Sequence, residues 1–366
     1  MSIGPNLDAL QTALAALPGF AGVVREDLAL MQVKGLAHDH VELSGHAVEG
    51  RPVLLRVPKQ SQFALSAGDN LAYQAACFER VSRSGHGPKL FGVISPYAEV
   101  PMGALAVERI EGRPPRLPED LPAFAEAMAR VHSLPLPPAE DWPPLADHRD
   151  AVGGAMTEIE AQATFLDRAE LAAAALSEIE DELAWARSFQ REVAGELQPV
   201  TLVLTDTHPG NFLIDGDGRA IIVDLEKALY GSPGTDLAHA TVYSSTTWDP
   251  DTWADLSPAE VAAFYRRYLE IAAPALAERL RPWLVPMRRI LFLRAITWCA
   301  KWSVLQRESR RADKHAAEST EDWSAENTDP TLIVHVAGRV AEYLSPAILA
   351  RMRAEWLDSP TLEDLI

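Results

Sequence analysis

The hydrophobic positions near the start of the chain recur at helical spacing, with Leu7, Leu10 and Leu14 on one face, and the pattern then changes to short alternating runs. Residues 28–34, 40–44 and 53–57 alternate apolar and polar side chains between Gly- and Asp-containing breaks, which is the period of half-buried strands. Residues 69–83 return to helical spacing, with Asp69 or Asn70 as the cap and Leu71, Ala75, Phe78 and Val81 on one face. Two more strands are expected at 89–94 and 103–110. The first 110 residues therefore read as a small antiparallel sheet with one inserted helix.

Beyond Glu111-Gly112 the chain runs through a proline-rich connection (Pro114, Pro115, Pro118, Pro122) into long Ala- and Leu-rich segments. Their spacing predicts helices over 120–133, 151–195, 258–280 and 283–308, then a charged helix end or loop at 309–330. Short apolar runs at 200–205, 211–214 and 220–224 interrupt the helices. The fold class is α+β, with a boundary near 111 that separates a sheet lobe, residues 1–110, from a mostly helical lobe, residues 111–366. At 366 residues the chain exceeds the size at which one core usually keeps growing, so two bodies are expected.

Charge narrows the partners. The formal net charge is −19, of which residues 1–110 carry −1 and residues 111–366 carry −18. Such a chain is a poor ligand for a nucleic-acid backbone, whose binding draws on clustered Lys and Arg. Acid in the second lobe suits a cationic ligand in a cleft as well as plain solubility. No apolar run approaches the roughly 20 residues of a membrane helix, and Met1-Ser2-Ile3-Gly4-Pro5 lacks a basic start, so a soluble, cytoplasmic protein is expected. Cys77 and Cys299 each fall inside an apolar helical pattern and are expected in the core, not in a disulfide or thiolate metal site. No zinc-ligand spacing is present.

The chemistry is concentrated in one stretch: Leu204-Thr205-Asp206-Thr207-His208-Pro209-Gly210-Asn211-Phe212-Leu213-Ile214, then Asp215-Gly216-Asp217-Gly218, then Ile221-Ile222-Val223-Asp224-Leu225-Glu226. This is a strand, a tight polar loop, a strand, an Asp-Gly hairpin turn and a strand that ends on a carboxylate. Asp206 and Asn211 share one loop, and the hairpin returns Asp224 beside them. Magnesium takes hard oxygen ligands of this kind, one or two carboxylates completed by phosphate oxygens and water. One acid is left over for a substrate hydroxyl.

These residues resemble the aminoglycoside phosphotransferases and choline kinases, which share the protein-kinase fold. Asp206, Asn211 and Asp224 match their signature His-x-Asp-x-x-x-x-Asn followed by an aspartate, and Gly231-Ser-Pro-Gly-Thr-Asp236-Leu-Ala resembles the segment that follows it. The resemblance covers roughly residues 20–300 and is strongest at 200–240. It implies a two-lobe kinase-like fold and an ATP- and magnesium-dependent transfer to a hydroxyl of a small molecule, for which a cation is one candidate; a choline- or ethanolamine-type kinase falls within that class. Asp206 would accept the hydroxyl hydrogen bond, Asn211 and Asp224 would hold Mg2+, and Arg56 would contact the nucleotide phosphates in place of the more common lysine. Gly35 falls in the phosphate-covering hairpin, and the Glu108 carbonyl and Ile110 amide would read the adenine edge. Asp236 would lie beneath the catalytic loop.

Departures from the pattern are as informative. Leu204 stands where the signature has histidine, and Gln74 where a helical glutamate usually orients the strand base. They motivate an alternative, a nucleotide-binding pseudokinase serving as a scaffold or regulator. A protein kinase is disfavoured, because Leu225-Glu226 follows the metal aspartate and no Asp-Phe-Gly or Ala-Pro-Glu brackets an activation loop. His208 is expected to brace the loop and His132 to be a core or capping residue. Trp298 and Trp302 share a helix face; packing or a cation–π pocket would account for them, and Glu226, Asp249 and Asp251 are candidates for contacting an amine.

Overall fold

The computed structural model describes residues 4–31, 37–312 and 330–366. Gly35 lies outside these, as does most of the expected segment 309–330.

Helix α1 (Leu7–Ala15) is capped by the Asn6 side chain, which accepts the Ala9 N–H. The strands that follow are β1 (Leu28–Leu30), β2 (His38–Val48), β3 (Arg51–Pro58), β4 (Leu90–Ile94) and β5 (Ala104–Glu108), with α2 (Ala67–Val81) between β3 and β4. They form one antiparallel sheet in the order β1-β2-β3-β5-β4. Period-2 alternation along β3 sends Val53, Leu55 and Val57 to the face covered by Leu10, Leu14 and Phe20, so Leu54 and Arg56 point the opposite way, toward α2 and the second lobe. Helix α2 begins earlier than expected. Its cap is Ser66, whose Oγ accepts the Asp69 N–H, while Asp69 sits inside the first turn.

The second lobe contains α3 (Leu121–His132), α4 (Ala151–Ala163) and α5 (Ala173–Glu192), then the short strands β6 (Thr201–Val203), β7 (Phe212–Ile214), β8 (Ala220–Ile222) and β9 (Leu229–Gly231). Next come α6 (Pro233–His239), α7 (Tyr243–Thr246), α8 (Pro258–Ile271), α9 (Pro274–Leu280), α10 (Leu284–Ala312), α11 (Pro330–Tyr343), α12 (Pro346–Leu357) and α13 (Leu362–Leu365). The segment 151–195, read as one helix, is two: a turn through Leu166–Arg168 and a left-handed Glu170 (φ 56°) break it. The expected helix 258–280 likewise divides before Pro274, which cannot extend the preceding helix.

Strand β7 pairs with β8 as the expected hairpin, whereas β6 pairs with β9, a strand the alternation did not reveal. Helix α10 is the spine of the lobe and packs on α4 and α6. One continuous apolar core joins it to α2 and to Leu105 and Val107 of β5. Cys77 and Cys299 are buried free thiols within that core, as expected. Among the described residues no helix is long and apolar enough to cross a membrane.

Candidate active site

The loop from β6 to β7 is built on Asp236, a fully buried carboxylate on α6. Its Oδ2 accepts the Leu204 N–H (2.7 Å) and its Oδ1 the Thr205 N–H (2.8 Å), while His132 Nε2 lies 3.0 Å from Oδ2 and His132 Nδ1 2.9 Å from the Tyr268 hydroxyl. These bonds hold Thr205 at φ 62°, a region that β-branched residues rarely enter. Thr205 Oγ1 in turn donates to the Lys227 carbonyl at 2.9 Å. His132 is thus the core histidine expected, and Leu204 fills the apolar core while its backbone takes the brace. Asp236→Ala would strand two buried amides, and is expected to lower the unfolding free energy by about 3 kcal/mol in denaturant titration.

The turn above this brace aims the polar side chains. Asp206 receives the Lys227 ammonium at 2.7 Å on Oδ2, and His239 Nδ1 lies 4.0 Å from Oδ1. Burial pushes the Asp206 carboxyl up, but the neighbouring charges, Lys227 first, outweigh it and hold the group well below the usual carboxylate range. Burial pushes His239 down to about 4, so its imidazole is neutral. Asn211, itself buried, donates through Nδ2 to the Asp206 carbonyl at 2.8 Å, which leaves its Oδ1 as the atom for a cation. His208 braces the loop: its Nδ1 accepts the Gly210 N–H at 3.1 Å. A β-carbon on Gly210 would lie 2.7 Å from His208 Cε1 and 2.9 Å from Asp249 Oδ2, so a larger residue there would displace one of these side chains.

The hairpin β7–β8 brings Asp224 to the same place. Asp224 Oδ1 accepts from Arg56 Nη2 at 2.8 Å, and Arg56 Nη1 donates to the Val223 carbonyl at 3.1 Å, so strand β3 of the sheet lobe is tied directly to the second lobe. Burial opposes ionisation of Asp224, but the Arg56 guanidinium beside it lowers its carboxyl. Glu226 points inward, 5% exposed, and burial followed by Asp224 pushes it up to about 8. A buried, largely protonated acid is a poor contact for an amine substrate.

At the interlobe connection, Arg113 exchanges both backbone hydrogen bonds with Ile214 (2.9 and 2.8 Å). A β-carbon on Gly112 would sit 2.8 Å from the Ile214 carbonyl oxygen, which is why glycine ends this connection. The Ile110 amide has no hydrogen-bond partner among the described residues, and the Glu108 side chain turns away to pair with Arg51 and accept the Lys89 N–H. Trp298 meets Trp248 edge to face at 6.3 Å, and Trp248 meets His335 at 5.7 Å, whereas Trp302 is core.

The structure thus brings together Asp206, Asn211, Asp224 and Arg56, and sets Glu108 and Ile110 on the connection between the lobes. It adds Lys227, His239 and His38, which the sequence reading did not single out; only the position of Lys227, three residues after Asp224, carried a hint. Among the described residues no three His, Cys, Asp or Glu side chains converge as a metal cluster, and the available donor set is the hard-oxygen pair of an amide and a carboxylate.

The family model described as the phosphotransferase enzyme family matches residues 46–283. No curated protein matches the sequence. Among solved structures, a choline/ethanolamine kinase family protein from Mesorhizobium loti aligns with a TM-score of 0.52 at 18% identity, covering 94% of this chain and 98% of that one. An ethanolamine kinase of Plasmodium vivax aligns with a TM-score of 0.58 at 12% identity over 96% and 92%. The GDP and kanamycin complex of APH(2")-IIia gives 0.54 at 15% identity over 91% and 99%. At these identities the likeness is one of fold, a two-lobe kinase-like architecture with a small antiparallel sheet and a helical lobe.

Proposed function

The chain belongs to the phosphotransferase enzyme family, and from that premise we propose that it transfers the γ-phosphoryl group of ATP, with magnesium, to a hydroxyl of a small molecule. The observation that carries this reading is the convergence of Asp206, Asn211 and Asp224 on one braced loop and hairpin, with Arg56 reaching Asp224 from the opposite lobe. The Asn211 amide oxygen and the Asp224 carboxylate would hold the magnesium ion, which when bound neutralises charge on the phosphate oxygens. The Ile110 amide and Glu108 carbonyl would read the adenine edge, and Arg56 would face the phosphates.

Asp206 would receive the hydrogen bond of the acceptor hydroxyl. As the acceptor oxygen bonds to the γ-phosphorus, the bond from that phosphorus to the bridging oxygen breaks, ADP leaves, and the hydroxyl proton passes to the Asp206 carboxylate. Because Lys227 keeps that carboxylate a weak base, its main contribution is to orient the hydroxyl in line, with proton transfer late. Acid in residues 111–366 favours a cationic acceptor, for which Asp249 and the Trp248–Trp298 pair are the available contacts. Lys227 beside Asp206 would confine that charge to the outer part of the site.

The test is phosphate transfer from ATP, with and without Mg2+, across hydroxylated amines, neutral alcohols and sugars, read by product mass. Magnesium-dependent gain of one phosphoryl group supports the proposal. Nucleotide binding without transfer to any acceptor would move the assignment to a non-catalytic module.

A further inference from the structure

In the resemblance above, a helical carboxylate orients the strand base, and Gln74 takes its place here. Gln74 makes no hydrogen bond to Arg56 among the described residues; its Oε1 lies 3.1 Å from His38 Nε2 instead. His38, at the start of β2 and 3% exposed, presents Nδ1 to Arg56 Nη2 at 3.4 Å and Nε2 to Glu226 Oε2 at 3.0 Å. An arginine can only donate, so Nδ1 must be the accepting nitrogen and Nε2 carries the hydrogen. That hydrogen faces Gln74 Oε1, with Glu226 Oε2 alongside. One imidazole therefore joins β2, β3, α2 and the residue two beyond Asp224.

Resting on the assignment of Arg56 to the nucleotide phosphates, we propose that His38 is the positioning residue for Arg56, a neutral imidazole in the role otherwise taken by a helical carboxylate. The geometry explains the pairing of residue types. Arg56 is held by Asp224, the Val223 carbonyl, His38 and the Phe78 ring, whose centroid lies 5.5 Å from the guanidinium carbon. A glutamate at position 74 would add a second acid around the same imidazole as Glu226 and compete with Asp224 and phosphate for the Arg56 charge. A glutamine accepts the Nε2 hydrogen without either effect. Burial, then the Arg56 charge, pushes His38 down to about 3, in keeping with an uncharged ring.

The experiment uses the full chain with His38→Ala, His38→Gln and Gln74→Glu, measuring Mg·ATP affinity by calorimetry, kcat and both KM values, and folding by circular dichroism. His38→Ala is expected to weaken Mg·ATP by about tenfold, the scale of losing an orienting partner, with the acceptor KM unchanged. His38→Gln, whose amide both accepts and donates, is expected to recover most of that loss, and Gln74→Glu to weaken Mg·ATP. Unchanged affinity in His38→Ala, equal rises in both KM values, no recovery in His38→Gln, or tighter binding in Gln74→Glu would each overturn the proposal. Nitrogen-15 NMR of the imidazole in the unliganded chain reads the same geometry without turnover: the neutral Nε2–H tautomer is expected, and an Nδ1–H or protonated ring at pH 7 overturns it. A wild-type chain that shows that tautomer yet binds no Mg·ATP would defeat the phosphotransferase reading, and with it the assigned role.

Discussion

Asp206→Asn is expected to lower the rate of phosphoryl transfer by ~10²–10⁴ while leaving Mg·ATP affinity near that of the wild type. The substitution keeps the shape of the loop, because Asn211 bonds to the backbone carbonyl of residue 206 and Asp236 braces the preceding amides, so neither contact uses the Asp206 carboxylate. An amide oxygen can still face Lys227. What is lost is the negative charge that orients the acceptor hydroxyl and the atom that takes its proton. Rapid-mix product analysis and nucleotide calorimetry on the same protein separate these effects: kcat should fall and the nucleotide dissociation constant should not. Transfer within about threefold of wild type would remove Asp206 from the chemistry and leave the loop a purely structural device.

The placing of Asp206, Asn211 and Asp224 together was legible because these residues are close in sequence and set by local turns. The Asp-Gly hairpin fixes how Asp224 returns beside Asn211, and the β3 alternation fixes the side to which Arg56 points. Lys227 and His239 were not legible, since their meaning depends on the left-handed Thr205 and on the α6 brace, which carry two distant segments under one carboxylate. His38 was hidden for a related reason. Its partners come from β3, α2 and the segment that follows Asp224, and only the register His40↔Arg56 on neighbouring strands places it beside the guanidinium. The break between α4 and α5 escaped because Ala-rich helical spacing continues across it, and the cap was placed at Asp69 or Asn70 instead of Ser66 because all three are cap-forming residue types within one turn.

Glu355→Ala is the substitution expected to cost the most stability. Arg288 is the largest fully buried side chain, and Glu355 on α12 meets it in a two-pronged contact, Nε to Oε2 at 2.6 Å and Nη2 to Oε1 at 3.0 Å. The remaining prong donates to Thr241 Oγ1 at 2.9 Å, two residues past the end of α6. Removing Glu355 leaves a guanidinium, charged at any accessible pH, uncompensated inside the core, a change worth about 3–5 kcal/mol. For a chain of this size the thermal midpoint should fall by about 5 °C. Replacing both partners, Arg288→Met with Glu355→Leu, should restore most of that loss, because the desolvation of two charges disappears together with their attraction. The two variants distinguish pairing from packing: if the double variant is as unstable as the single one, the cost lies in the shape of the α10–α12 contact and not in the stranded charge.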